Sequence, residues 1–318
     1  MPDIRKFFPS QKVSNWTSGA FGGGTIPFSA TGGTENTYTD SGTDYKSHTF
    51  TSSGTFTVLG GSSNVWVFLV AGGGAGGAQN GNDTAGGAGA GGFLLATTSV
   101  ASNGGNGVGA YTVTIGAGGS AGYTYPYGGH TADKCGINGN DSTFNGIEAI
   151  GGGGGGVKPV KDTGGGVIES PNAGGCGAGV GAQSGNWWKG MYGVQGGRGN
   201  DPSGSMHSEV GAGGGGHGGG GTTSRNGYAG AANTYKDGSS ITYGGGGGGT
   251  DNGAYTTWMC GSGGTGGGGA GHAGTSGNAT SGTANTGGGG GTLAGGYYYS
   301  QMYAGSGGSG IIVIRYAV

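Results

Sequence analysis

YGGGGGGT, residues 243–250, sets six consecutive glycines between Tyr243 and Thr250, and residues 151–156 repeat the run. Neither an α-helix nor an ordinary strand is written this way. Each glycine in a helix interior costs about 1 kcal/mol relative to alanine, so six would destabilise one helix by roughly 6 kcal/mol. Two readings remain, a flexible linker or a polyglycine II helix. The second has three residues per turn and rises about 3.1 Å per residue, so a hexaglycine spans roughly 19 Å. With no Cβ in the way, such helices can lie side by side and hydrogen-bond on every flank.

The rest of the chain bears on that choice. Glycine supplies 96 of 318 residues and hydrophobic residues 31%, which argues against ordinary cores. Ordering glycine is entropically expensive, so either dense hydrogen bonding offsets the loss or the chain stays disordered. Disordered segments are poor in aromatics and rich in charge, whereas this chain has 16 Tyr, 9 Phe, 5 Trp and only 8% charged residues. Order is therefore the expectation. Further tracts begin at Gly72, Gly86, Gly116, Gly164, Gly174, Gly211, Gly261, Gly287 and Gly305. Runs of six glycines and only 7 prolines exclude collagen, and irregular spacing excludes a strict solenoid.

Strand signals stand among the tracts. Residues 45–58, YKSHTFTSSGTFTV, alternate about Ser53 and Gly54 and predict a hairpin. VWVFLV at 65–70 reads as a buried strand, with further strands at 111–115 (YTVTI) and 311–316 (IIVIRY). If the last pairs with the first of these, both ends of the glycine-rich region are tied at one base. The expected fold is mostly irregular and β, with little or no α-helix. A small antiparallel β section, at about 45–70, 111–115 and 311–316, closes a bundle of polyglycine II helices with long surface loops.

Residues 1–44 are expected to form a docking segment and 45–318 the glycine-rich domain. Ile4, Phe7 and Phe8 have the spacing of a short amphipathic turn stopped by Pro9, and with Trp16 they are the candidate anchor onto a partner protein. The same spacing matches a sliding-clamp-binding peptide, although Met1 stands where that motif wants Gln. A mobile terminus is the plain alternative.

Large side chains gather on the connections between tracts. Candidates for recognition are Tyr123, Tyr125, Tyr127, Trp187, Trp188, Tyr192, Tyr235, Tyr255, Trp258, Tyr297, Tyr298, Tyr299 and Tyr303. Tyr and Trp offer contact area at low entropic cost, and binding residues tend to sit on loops held by a rigid scaffold. The competing reading is that these aromatics cap the ends of the bundle.

Other chemistry finds little support. A net charge of −2 gives no footprint for nucleic acid or an anionic membrane. The longest apolar run, 65–71, is too short to span a bilayer, and the first residues lack the apolar core of a signal peptide. An exterior protein made without an export signal is expected to be released by cell lysis, as virion parts are. Cys135, Cys176 and Cys260 are odd in number and far apart, so no disulfide framework is indicated. Residues 118–122 match G-x-S-x-G and residues 87–92 match G-x-G-x-x-G, but glycine this frequent makes such matches cheap, and no helix follows either. His48, His130, His207, His217 and His272 form no ligand set, and nothing pairs Asp201, Glu209, Asp237 or Asp251 as glycosidase carboxylates. No enzymatic activity, cofactor or metal is expected.

The order HTFTSSGTFTV (48–58), VWVFLVAGGGAGG (65–77), GGFLLATTSV (91–100), YTVTIGAGG (111–119), STFNGIEAIGGGGGG (142–156) and GSGIIVIRYAV (308–318) resembles the glycine-rich domain of bacteriophage tail-fibre proteins, frequent in marine phages. It is also similar in architecture to the tail-tip adhesins of T-even phages, where polyglycine II helices carry variable receptor-binding loops. The chaperone-derived features of those adhesins are not visible here. The resemblance implies a virion-borne protein that docks on another tail or capsid protein and recognises a host surface glycan or outer-membrane protein. Fibres are often trimeric, but no heptads show it here. A non-adhesive structural or decoration protein of the virion is the alternative, and a cell-wall glycine-rich protein ranks last.

Overall fold

The strand Ser62–Val70 has two apolar faces, and the fold uses both. In the computed structural model, which describes residues 26–79, 85–102, 109–124, 135–157, 209–210, 214–219, 225–252, 259–274, 276–295 and 301–318, this strand lies inside a five-stranded antiparallel sheet. The order is Thr34–Asp40, Thr43–Phe50, Ile311–Ala317, Ser62–Val70 and Phe93–Ala101. Val65, Val67 and Leu69 face a second antiparallel sheet, ordered Ser29–Thr31, Gly54–Gly60, Gly109–Thr114, Ser142–Phe144 and Ile147–Ala149. Phe50, Phe56, Val113, Phe144, Ile312 and Ile314 complete the dry layer between them. Phe68 and Val70 face the other way, with Ile311 and Val313, and are covered by the hairpin Ala231–Asn233 and Ile241–Tyr243.

The last strand returns to the first apolar one as expected, from Ile311 opposite Val70 to Arg315 opposite Trp66. Both ends of the glycine-rich region are thus held at one base. No α-helix occurs among the described residues. The hairpin expected about Ser53 and Gly54 does not form. Thr43–Phe50 pairs in the first sheet and Gly54–Gly60 in the second, because Phe50 and Phe56 both face into the layer between sheets. The β base is also larger than expected. It takes in Phe93–Ala101 and the Ser142–Ala149 hairpin, as well as Ser29–Thr31 and Thr34–Asp40, so the boundary expected at residue 44 falls inside a strand.

Above this base the described glycine tracts form rods whose hydrogen bonds repeat every three residues, the period of polyglycine II, while the tracts from Gly164 and Gly174 lie outside the described residues. In the rod 72–77, Gly72 and Ala75 donate to Asn140 and Ile137, Gly73 and Gly76 donate to Gly308 and Gly305, and Gly74 donates to Gly89. The same rod accepts from Gly152 and Gly155, from Gly290 and Leu293, and from Gly119. Six segments therefore surround one rod, around 138, 306, 89, 153, 291 and 119, at N···O distances of 2.8 to 3.0 Å.

The hexaglycine 244–249 has the same environment. It donates to segments around 88, 267 and 227, and accepts from segments around 215, 290 and 262. Residues 151–156 are not among its neighbours and lie one rod further away. Gly89 donates to Gly153 while Gly247 donates to Ala88, so the rod 85–92 stands between the two hexaglycines. A Cβ added at Gly245, Gly246, Gly247 or Gly248 would meet the carbonyl oxygen of Gly264, Gly214, Gly290 or Gly261. The lattice therefore has no room for side chains at these positions.

His48 is fully buried in the base, where its Nδ1–H donates to the Gly32 carbonyl at 2.8 Å and Nε2 lies 3.4 Å from the Tyr316 hydroxyl. Burial pushes its pKa below the ordinary value, although Glu35 at 3.8 Å opposes that. The unfolded chain therefore takes up this proton at higher pH than the folded one, and stability present above about pH 6.5 is lost as pH falls through the depressed folded value. Thermal melts are expected to show Tm falling below about pH 6.5, with a shallower fall in His48→Gln. In the lattice, Gly247→Ala is expected to lower stability by about 1–3 kcal/mol through overpacking. Gly54→Ala, whose Cβ would meet only Phe50 ring atoms at 3.7 Å, is the control and should change little in chemical denaturation.

Candidate functional site

Chain direction decides where loops can go. Rods 72–77, 116–122, 151–157, 244–250 and 287–293 run away from the base, and the antiparallel rods 85–92, 135–140 and 301–308 run back towards it. The described chain accordingly leaves and re-enters at Gln79 and Ala85, Thr124 and Cys135, Val157 and Glu209, Asn252 and Met259, and Gly295 and Gln301, all at the end remote from the base. Short sheets close this end. Tyr123–Thr124 pairs with Met302–Tyr303, and Leu293–Ala294 lies between His272–Ala273 and Ala78–Gln79 in parallel. A third joins Glu209–Val210, Thr250–Asn252 and Met259–Cys260. Ala78, Leu293, Met302 and Ala304 form a small apolar plug beneath them.

Of the aromatics expected to recognise a ligand, the structure brings Tyr123 and Tyr303 together. Their rings lie 6.1 Å apart, and Tyr303 is 43% exposed. Tyr303 is held from both sides of its peptide, its N–H donating to the Asn278 side chain at 2.9 Å and its carbonyl accepting from Ala279 at 3.0 Å. Tyr125, Tyr127, Trp187, Trp188, Tyr192, Tyr255, Trp258, Tyr297, Tyr298 and Tyr299 lie outside the described residues. So do Ile4, Phe7, Phe8 and Trp16 of the expected anchor.

Tyr235 is elsewhere, on the turn of the hairpin that covers the base. There the guanidinium of Arg315 stacks between two rings, 3.7 Å from the centroid of Tyr235 and 4.3 Å from that of Tyr45. Arg315 donates to the Tyr38 hydroxyl at 3.0 Å and to Asp40 at 3.1 Å, and Tyr38 donates to the Tyr235 carbonyl at 2.8 Å. Trp66 meets the edge of Tyr45, and the Ser47 hydroxyl donates to the Lys236 carbonyl at 2.6 Å. Burial alone would lower the Arg315 pKa, but the bonds with Tyr38 and Asp40 more than compensate and raise it. Burial likewise raises the Tyr38 pKa, so the phenol stays protonated as a donor.

This cluster is first a clasp that fastens the 231–243 hairpin, and with it the root of the hexaglycine, to the sheet. Its half-buried rings also present planar faces beside a carboxylate. Sequence reading overlooked it because Tyr38, Tyr45, Trp66 and Arg315 come from four strands. The one available signal was an arginine in the otherwise apolar IIVIRY, since a charge in such a strand requires partners. Among the described residues no group of three or more His, Cys, Asp or Glu is placed to hold a metal ion. Cys135 is half-buried, and Cys260 is exposed as a free thiol.

The described residues thus form a β-sandwich base carrying a hydrogen-bonded lattice of glycine rods. The chain belongs to the glycine-rich domain family, whose model matches residues 49–317. That span runs from the strand Thr43–Phe50 to the end of the last strand, so it takes in the core of the base and the whole lattice. Among curated proteins, none matches the chain.

Arg315→Met removes the stacked cation and both of its donated bonds while leaving Asp40, which is one-third exposed, open to water. The expected loss is about 1–3 kcal/mol. Amide exchange should quicken in residues 231–243 more than in Ser62–Val70.

Proposed function

We propose that this chain is a tail-fibre or tail-tip adhesin of a bacteriophage, a virion protein that recognises a host surface glycan or outer-membrane protein through aromatic loops on a polyglycine II scaffold. The observation that carries this reading is the polarity of the molecule. The excursions from Gln79 to Ala85, Thr124 to Cys135, Val157 to Glu209, Asn252 to Met259 and Gly295 to Gln301 depart from the remote end, where Tyr123 and the exposed Tyr303 sit at the roots of the tyrosine-rich segments. The chain between Ser102 and Gly109, by contrast, leaves beside Gly61 at the opposite pole, and Gly219 lies towards the base. At the other end, Ile26, the first described residue, lies against the Gly60 and Gly61 turn, on the side away from those loops. An anchor and a recognition surface at opposite poles suit a particle-borne binding protein. A rigid lattice also lets loop sequences vary without disturbing the body, since its rods are joined mainly through their backbones.

In this reading Ile4, Phe7, Phe8 and Trp16 attach the protein to another tail or capsid protein, and the remote loops meet the cell. The chemistry is binding alone, with no cofactor. Purified protein is expected to bind host cells and to compete with phage adsorption. Deleting residues 1–11 should leave the fold and cell binding intact and remove the protein from virions. Protein that stays in the virion but neither binds cells nor blocks adsorption would overturn the adhesin reading in favour of a structural or decoration protein.

A further inference from the structure

The strand Thr34–Asp40 is an open sheet edge of unusual quality. It pairs on one side with Thr43–Phe50 through seven consecutive residue pairs without a bulge, from Thr34 opposite Thr49 to Asp40 opposite Thr43. It ends the sheet on the other side, where no backbone group of the described residues bonds to it. Open edges are normally blunted by shortness, bulges, charged side chains (lysine above all), proline or a covering segment, and here the two charges, Glu35 and Asp40, are both ion-paired within the chain. The other edges follow that rule. Ser29–Thr31 is three residues long with a register shift, and Ile147–Ala149 is three residues long. Phe93–Ala101 is covered by Asn145, whose side chain donates to Thr98 at 2.8 Å and to the Ser99 carbonyl at 3.3 Å. TENTYTD, residues 34–40, has no lysine, proline or glycine.

We infer that this edge is an interface between two copies of the chain, joined by antiparallel pairing of Thr34–Asp40 with itself. Charge favours a like partner here. Glu35 is already neutralised by Lys46 at 2.7 Å and Asp40 by Arg315 at 3.1 Å, so two such edges meet without net repulsion. Full overlap of the seven residues also sets the register. A two-fold axis through Thr37 places Thr34 opposite Asp40 and Glu35 opposite Thr39, so no like charges face each other, and threonine meets threonine at the centre. The two five-stranded sheets become one continuous sheet of ten. The glycine lattices and their loops project from both halves, giving two recognition ends per particle-borne unit.

Sedimentation equilibrium of the full chain over a micromolar concentration series tests this. The wild type is expected at the mass of two chains. Thr37→Lys, at an exposed position, sets two lysines opposite each other across the axis and should weaken the dimer at least tenfold while leaving the circular dichroism spectrum unchanged. Thr37→Cys should form a disulfide between copies under mild oxidation, beyond the level of the wild type with its native thiols, because paired strands bring opposite Cα atoms to about 4.5–5.5 Å. A monomer at all concentrations, which would mean that another segment or partner covers the edge, overturns the inference. So does a mass of three chains, or a dimer indifferent to both substitutions. These outcomes concern self-association alone, so a protein that dimerises but fails to bind cells would count against the adhesin reading and leave the interface standing.

Discussion

The structure depends on how closely two backbones can approach when neither carries a Cβ. Within the lattice each rod bonds laterally through its main chain, and three residues per turn point successive N–H and C=O groups at successive neighbours. Rods 72–77 and 244–249 are each ringed by six others in this way. Hydrogen bonds of this kind contribute about 1 kcal/mol each on balance, no more than glycine's ordering entropy takes away. Density is therefore essential. A rod with one or two neighbours would gain too little, and a single side chain pushed against a carbonyl disturbs several rods together.

Glycine rods carry no side-chain pattern, and a pairing without a buried face has weakly specified register. The sandwich supplies what the rods lack. Ser62–Val70 runs directly into the rod 72–77, the rod 85–92 runs directly into Phe93–Ala101, and the rod 301–308 leads to Ile311–Ala317. Each strand is locked by alternation of buried and exposed residues, so the rod continuing from it is locked as well. The Arg315 clasp does the same for the hexaglycine, whose preceding hairpin lies on the outer face of the sheet rather than inside the sandwich. Gly244, with φ of 72°, makes the turn from that hairpin into the rod.

This division of labour gives the functional reading its physical sense. The base takes the hydrophobic stabilisation and the lattice transmits it, which leaves the remote end free to hold loops of any composition. Tyr123 and Tyr303 show how a loop root is fastened there, by a two-residue strand pair above a small apolar plug. The clasp aromatics Tyr38, Tyr45 and Tyr235 are similar in kind but serve the base, and residue type alone could not tell the two groups apart.

Read alone, the sequence determined that an ordinary helix or core was impossible at 244–249, that glycine would be the packing surface, and that 65–70 and 311–316 would be buried strands. These follow from local facts, namely the missing Cβ and runs of β-branched and aromatic residues. Only the tertiary structure decided that Thr43–Phe50 and Gly54–Gly60 part into different sheets, that the rod 85–92 separates the two hexaglycines, and that Arg315 gathers rings from distant segments. Local alternation says which face of a strand is buried but not which strand will bury it. A run of glycines holds still less information about its neighbours, since every glycine offers the same two hydrogen-bonding groups and nothing else.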